Sequence, residues 1–199
     1  MIAIIDYDMG NLRSVKNALE RLGAEYKVTK DPVEIIKADK VLLPGVGNAA
    51  EAMENLRNAG LDKIIPKLRQ PVLGICVGMQ VMCRNSEETF DGQGVTECLG
   101  IFDSFVKRFP ADKEAKVPHM GWNNIGNTDG KLFRGIKGGY VYFVHSYYPC
   151  LCQDTIATCK HGDIMFSAAL KYENFYGTQF HPEKSSDLGE KILENFINL

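Results

Sequence analysis

Pro71-Val72-Leu73-Gly74-Ile75-Cys76-Val77-Gly78-Met79-Gln80-Val81-Met82-Cys83 is the stretch whose reading decides the fold. Pro71 to Ile75 is an apolar run of strand length, and the apolar spacing from Met79 to Cys83 reads as helix. A strand that turns directly into a helix around G-x-C-x-G is the pattern of a nucleophile elbow, with sulfur in place of the usual serine oxygen. Gly74 and Gly78 fit because a tight, strained turn leaves no room for side chains against the neighbouring strand and helix. Such a turn lifts the Cys76 thiol clear of the sheet and sets it at the first turn of a helix, where unpaired N–H groups and the helix dipole favour a thiolate. Taken alone, G-x-C-x-G fits a buried apolar cysteine in a β-α turn equally well, so its partners must decide.

Upstream, Ile2 to Ile5 reads as a strand and Asn11 to Leu22 as a helix, with Leu12, Val15, Leu19 and Leu22 at helical spacing and Gly23 at its end. Tyr26 to Thr29 is a second strand, Asp31-Pro32 an N-cap and N1 pair, Val41 to Leu43 a third strand and Ala49 to Leu56 a helix. Short apolar strands alternating with helices predict a parallel sheet covered on both faces, with functional groups at the carboxyl ends of its strands. Beyond about residue 95 the pattern changes to Phe102 to Phe109, Tyr140 to Tyr148, Thr155 to Lys160, Met165 to Lys171 and Phe175 to Gln179, strands with few helices between them. Ser185 to Leu199 closes the chain as a helix. The expected fold is therefore α/β, with a mostly parallel central sheet, helices on both faces, and an antiparallel or mixed extension of that sheet in the C-terminal half. No Pro/Ser-rich or charged linker divides the chain, so residues 1–199 are expected to form a single domain.

The 199 residues, 45% of them hydrophobic, can bury a sizeable core, and the formal charge of −2 offers no electrostatic footprint for nucleic acid or an anionic membrane. The opening Met1-Ile2-Ala3-Ile4-Ile5-Asp6 lacks the plan of a signal peptide and no apolar run reaches membrane-spanning length, so a cytoplasmic location is expected. Six cysteines are too sparse for a disulfide scaffold at this length. Only Cys76 sits in an activating context.

His181-Pro182-Glu183 follows the Phe175 to Phe180 strand, so it too falls at a strand end. In an extended chain, residues two apart point the same way, which brings the Glu183 carboxylate to the His181 imidazole. A base and its orienter then arrive as one unit: His181 to take the Cys76 proton, Glu183 to fix the ring tautomer. Pro44-Gly45-Val46-Gly47, before the next helix, can turn backbone N–H groups toward a developing oxyanion, with the N–H of Val77 as the second donor. An exposed loop histidine and a plain turn fit H-P-E and P-G-x-G taken singly.

Together, P-G-V-G, G-I-C-V-G-M-Q and F-H-P-E resemble the class I (triad) glutamine amidotransferases. Asp6 to Ser14, Val117 to Asn123, Tyr142 to Tyr147 and Gly177 to Ser186 narrow the likeness to the glutaminase subunits of imidazole glycerol phosphate synthase. The resemblance spans nearly the whole chain. It implies that Cys76, His181 and Glu183 are catalytic, that Val46, Gly47 and Val77 form the oxyanion hole, and that Gly47 and Gln80 hold glutamine. It further implies a (β/α)8-barrel cyclase partner receiving the ammonia, an interface including Asn11, Trp122, Tyr142 and Lys184, and neither cofactor nor metal. Asn48 departs from the aromatic residue common in the family after the P-G-x-G loop, and the segment Glu87 to Gly94 is looser than the family pattern. Cys150, Cys152, Cys159 and His161 could face one another across a hairpin, but their spacing is tighter than a C-x2-C knuckle and fits buried or half-buried thiols better. Three rival readings remain at this point: a triad glutaminase serving a different synthase, a non-catalytic binding subunit, and a stand-alone cysteine hydrolase.

Overall fold

A computed structural model describes residues 1–110 and 116–199. The strands are β1 (Ile2–Ile5), β2 (Tyr26–Thr29), β3 (Lys40–Gly45), β4 (Val72–Cys76), β5 (Asn85–Ser86), β6 (Thr96–Glu97) and β7 (Phe105–Arg108). They continue as β8 (His119–Gly126), β9 (Gly139–His145), β10 (Tyr147–Pro149), β11 (Thr155–His161), β12 (Ile164–Tyr172) and β13 (Phe175–Thr178). The helices are α1 (Leu12–Arg21), α2 (Pro32–Lys37), α3 (Ala49–Asn58), α4 (Val77–Gln80) and α5 (Ser186–Ile197).

The main sheet runs β2-β1-β3-β4-β13-β12-β11-β8-β9. Its β2-β1-β3-β4-β13 half is parallel and the remainder antiparallel, which bears out the α/β sheet with a mixed extension. Every residue of β1, β4 and β13 is buried; since side chains alternate between faces, both faces of the sheet are covered along these three strands. Local signals operate as expected. The Asp31 carboxylate accepts from Val33 N–H at 2.8 Å to cap α2. At the end of α1, Gly23 adopts φ 64° while its N–H and that of Ala24 close onto Glu20 and Leu19, a Schellman ending.

Four expectations need correction. The strands around Phe105 and Tyr147 do not extend the main sheet but form a separate four-stranded one, β10-β7-β5-β6. The run Tyr140 to Tyr148 breaks at Ser146, where His145 Nδ1 turns back onto the Tyr147 carbonyl at 2.7 Å. Strand β8 was not anticipated, because two glycines and two asparagines in His119–Gly126 depress its strand propensity. Helix α4 begins at Val77 and gives way to turns after Gln80, so the helix expected over Met79 to Cys83 starts two residues earlier. Among the described residues no helix is long and apolar enough to cross a membrane.

The register decides where the chemistry gathers. Gly45 pairs with Cys76 across β3 and β4, and Thr178 pairs with Ile75 across β13 and β4, so three parallel strands end side by side.

Candidate active site

Cys76 ends β4 at φ 55° and ψ −111°, a backbone conformation that side chains rarely adopt. The flanking glycines are required by close approach: a Cβ on Gly78 would stand 1.8 Å from the Leu43 carbonyl oxygen, and one on Gly74 would stand 2.7 Å from the Gly78 oxygen. The elbow is thus wedged between β3 and its own helix, with Cys76 held in the strained position between them. The thiol faces the Val144 carbonyl at 3.9 Å, and the Gln179 amide Nε2 approaches the sulfur at 3.7 Å.

His181 is buried beside it, and its Nδ1 lies 2.8 Å from Glu183 Oε1. Glu183 does not lie on an extended chain as predicted; Pro182–Lys184 is a 3-10 turn, and the turn brings the carboxylate back to the ring. Burial works against a charged ring, but the charge of Cys76, with the hydrogen bond and charge of Glu183, outweighs it and pushes His181 up to about 10. The His181 N–H donates to the Tyr142 carbonyl at 2.9 Å, while the Ser185 hydroxyl donates to the His181 carbonyl at 2.6 Å and accepts from the Tyr142 N–H at 2.9 Å. Ser185 therefore ties the histidine turn to β9, a role the sequence did not signal.

Cys76, His181, Val46, Gly47, Val77 and Gln80 line one cavity of about 160 Å³. A larger cleft of about 700 Å³ between α3 and residues 89–97 holds neither cysteine nor histidine. The predicted donor Val46 is differently engaged: its N–H is bonded to the Met9 carbonyl at 2.9 Å and is not free for an oxyanion. Gln80 Nε2 donates to the Tyr147 carbonyl and to Gln179 Oε1, both at 2.9 Å, which links it to the residue touching the Cys76 sulfur.

Glu88, His145, Ser146 and Tyr147 also line this cavity and were missed. Glu88 comes from the segment that looked uninformative. Its Oε2 accepts the Ala49 N–H at 2.7 Å, and burial raises its pKa above the usual carboxylate range, opposed by that N–H. Asn48, the departure from the family pattern, caps α3 by accepting from the Ala50 N–H at 2.7 Å, so its side chain secures the helix after the loop.

Trp122, Tyr142 and Lys184 come together at the same end. The Trp122 and Tyr142 rings meet edge to face with centroids 6.2 Å apart, and Lys184 Nζ lies 5.8 Å from the Tyr142 centroid. Trp122 is 52% exposed, and Met120 and Tyr140, also strongly exposed, extend the apolar surface. Asn11 lies on the wall of a narrow crevice shared with Val46, His181 and Glu183. Phe143, from the same strand as Tyr142, is core. Among the described residues no three His, Cys, Asp or Glu side chains could hold a metal, and Cys159 is buried with Cys150 and Cys152 half-buried.

The family described as Glutamine amidotransferase class-I matches residues 3–199. The imidazole glycerol phosphate synthase subunit HisH of Bacteroides thetaiotaomicron is 53% identical, covering 100% of this chain and 99% of its own. The subunit of that name in Escherichia coli K12 is 46% identical over 100% and 99%. A solved glutamine amidotransferase shares only 18% identity but superposes with a TM-score of 0.71, covering 100% of this chain and 98% of that one, a likeness of fold alone. The chain belongs to the class-I glutamine amidotransferases, on the branch of the HisH subunits of imidazole glycerol phosphate synthase.

Proposed function

We propose that the chain hydrolyses glutamine with Cys76 as nucleophile, His181 as acid and base and Glu183 as its orienter, and passes the ammonia to a (β/α)8-barrel cyclase subunit. The observation that carries this reading is the His181–Glu183 pair, 2.8 Å apart, with His181 in the wall of the cavity that the elbow cysteine also lines. Cys76 Sγ bonds to the side-chain amide carbon of glutamine, the C–N bond breaks, and ammonia leaves with a proton from His181. Water then adds to the glutamyl thioester, giving its proton to His181, and glutamate departs as the thiol is restored. Val77 N–H, at the start of α4, and the Val46–Gly47 loop are the oxyanion donors, the Val46 N–H after release from Met9.

Gln80 and Gly47 hold the substrate, and Glu88, the carboxylate in the cavity wall, answers its ammonium group. The exposed surface of Trp122, Tyr142 and Lys184, with Asn11 beside the His181 crevice, meets the barrel. There the ammonia enters the reaction that gives imidazole glycerol phosphate and aminoimidazole carboxamide ribotide, in the cytoplasm and without a cofactor. The chain alone and with the barrel subunit, assayed for glutamate release and for glutamine-dependent product, tests this. Product formation that is lost in Cys76→Ser with glutamine but retained with added ammonia is the expected result. Product of a different synthase, or glutamine hydrolysis independent of Cys76, contradicts it.

A further inference from the structure

Tyr7 carries a buried hydroxyl that has no hydrogen-bond partner among the described residues. An unpaired hydroxyl in a protein interior costs stability and is unusual enough to require a reason. Its position supplies one. A Cβ on Gly45 would meet the Tyr7 oxygen at 2.5 Å, so the hydroxyl lies against the glycine whose carbonyl shares a peptide plane with the Val46 N–H. That N–H is at present bonded to the Met9 carbonyl.

Turning the Gly45–Val46 plane would free the N–H and swing the Gly45 carbonyl toward the side the N–H has left. On that side the Met9 carbonyl would repel it, since two acceptors cannot bond each other. A donor is needed, and among the described residues the Tyr7 hydroxyl is the unengaged one against Gly45. Burial, followed by the charge of Cys76, raises the Tyr7 pKa, which keeps the phenol protonated and able to donate.

We propose that Tyr7 is a positioning residue whose hydroxyl accepts no role in the resting chain and donates to the Gly45 carbonyl once the Gly45–Val46 peptide has turned, holding Val46 N–H in the oxyanion hole. This rests on the glutaminase reading above and names a residue that stabilises its active form.

The test compares wild type with Tyr7→Phe, which removes only the oxygen, in the complex with the barrel subunit and its acceptor ligand. Glutamine kcat should fall roughly three- to tenfold, the effect of one neutral hydrogen bond, with KM little changed. The melting temperature should hold or rise, because the resting chain loses an unpaired group. Alkylation of Cys76 by iodoacetamide, which needs no oxyanion hole, should proceed at the wild-type rate. Unchanged kcat overturns the proposal, and so does a loss of kcat accompanied by a lower melting temperature and altered alkylation, which marks a packing role. A wild-type complex that hydrolyses no glutamine overturns the glutaminase reading itself, and this inference with it.

Discussion

His181 Nδ1 and Glu183 Oε1 stand 2.8 Å apart across a 3-10 turn, with both side chains almost completely buried. Because Glu183 engages Nδ1, Nε2 is left for the chemistry beside Cys76. Replacing His181 with Asn should lower glutamine-dependent turnover by roughly 10³- to 10⁴-fold or more, and Glu183→Gln should cost less but still orders of magnitude, by the logic of serine triads. Turnover from added ammonia in the assembled enzyme should survive both. Parallel steady-state assays with the two nitrogen sources decide the matter: equal losses with both would mean that the pair holds the complex together.

Cys76 should be the one cysteine that carries the covalent chemistry. Burial raises the pKa of the other five thiols, Cys98 and Cys159 to about 12 and Cys83, Cys150 and Cys152 in the same direction. A thiol-reactive glutamine analogue, followed by peptide mass mapping, should label Cys76 and leave the others nearly untouched. Labelling spread over several cysteines, or persisting in Cys76→Ala, would refute the assignment.

What the sequence made legible follows from how local each determinant is. Caps, the elbow glycines and the H-P-E pair act within a few residues, so Asp31, Gly78 and His181 could be read directly, and the parallel half of the sheet followed from its apolar strands. Glu88 could not, because its place in the cavity depends on an irregular connection between β5 and β6, closed by contacts such as the bond to Ala49 N–H across 39 positions. Ser185 was invisible as a tether for the same reason, since Tyr142 lies 43 positions away. Val46 lines the cavity, but the bond from its N–H to the Met9 carbonyl joins two separate loops and is a pairing that no local residue pattern records.

Two histidines make stability depend on pH. His145 Nδ1 donates to the Tyr147 carbonyl, leaving Nε2 to accept from His119 Nδ1 at 2.9 Å, so the chain of bonds requires neutral rings. Burial is the main cause that lowers His145 to about 3 and His119 to about 4. The unfolded rings take protons near pH 6.5 while the folded ones do not, so stability should fall as pH drops from about 6.5 toward 4. Urea unfolding across that range should show His119→Gln with a shallower slope than wild type. An identical slope would mean that His119 is already protonated in the folded chain.

The isolated chain should be nearly idle. With Val46 N–H bonded to Met9 at 2.9 Å, the resting site lacks one of its proposed oxyanion donors. Such a loss costs roughly 3 to 4 kcal/mol, or 10²- to 10³-fold in rate, at comparable acyl-transfer sites. Turning one peptide beside Gly45 and Gly47 restores the donor, and Gly47, already at φ 91°, shows how readily this loop takes conformations that other residues resist. The signal from a partner must reach that loop. Lys184 is placed to carry it: the residue follows Glu183 directly, its ammonium lies over the Tyr142 ring, and the Tyr142 carbonyl holds the His181 N–H. A carboxylate on the barrel that draws Lys184 away from Tyr142 would disturb the turn bearing His181 and Glu183, next to the crevice they share with Gly45 and Val46. Glutaminase activity should therefore rise by orders of magnitude when partner and acceptor ligand are both added. Lys184→Ala should blunt that rise while leaving the melting temperature and Cys76 alkylation of the free chain unchanged. Full glutamine hydrolysis by the purified chain alone would instead mark a stand-alone hydrolase, with the Met9 bond too weak to restrain the loop.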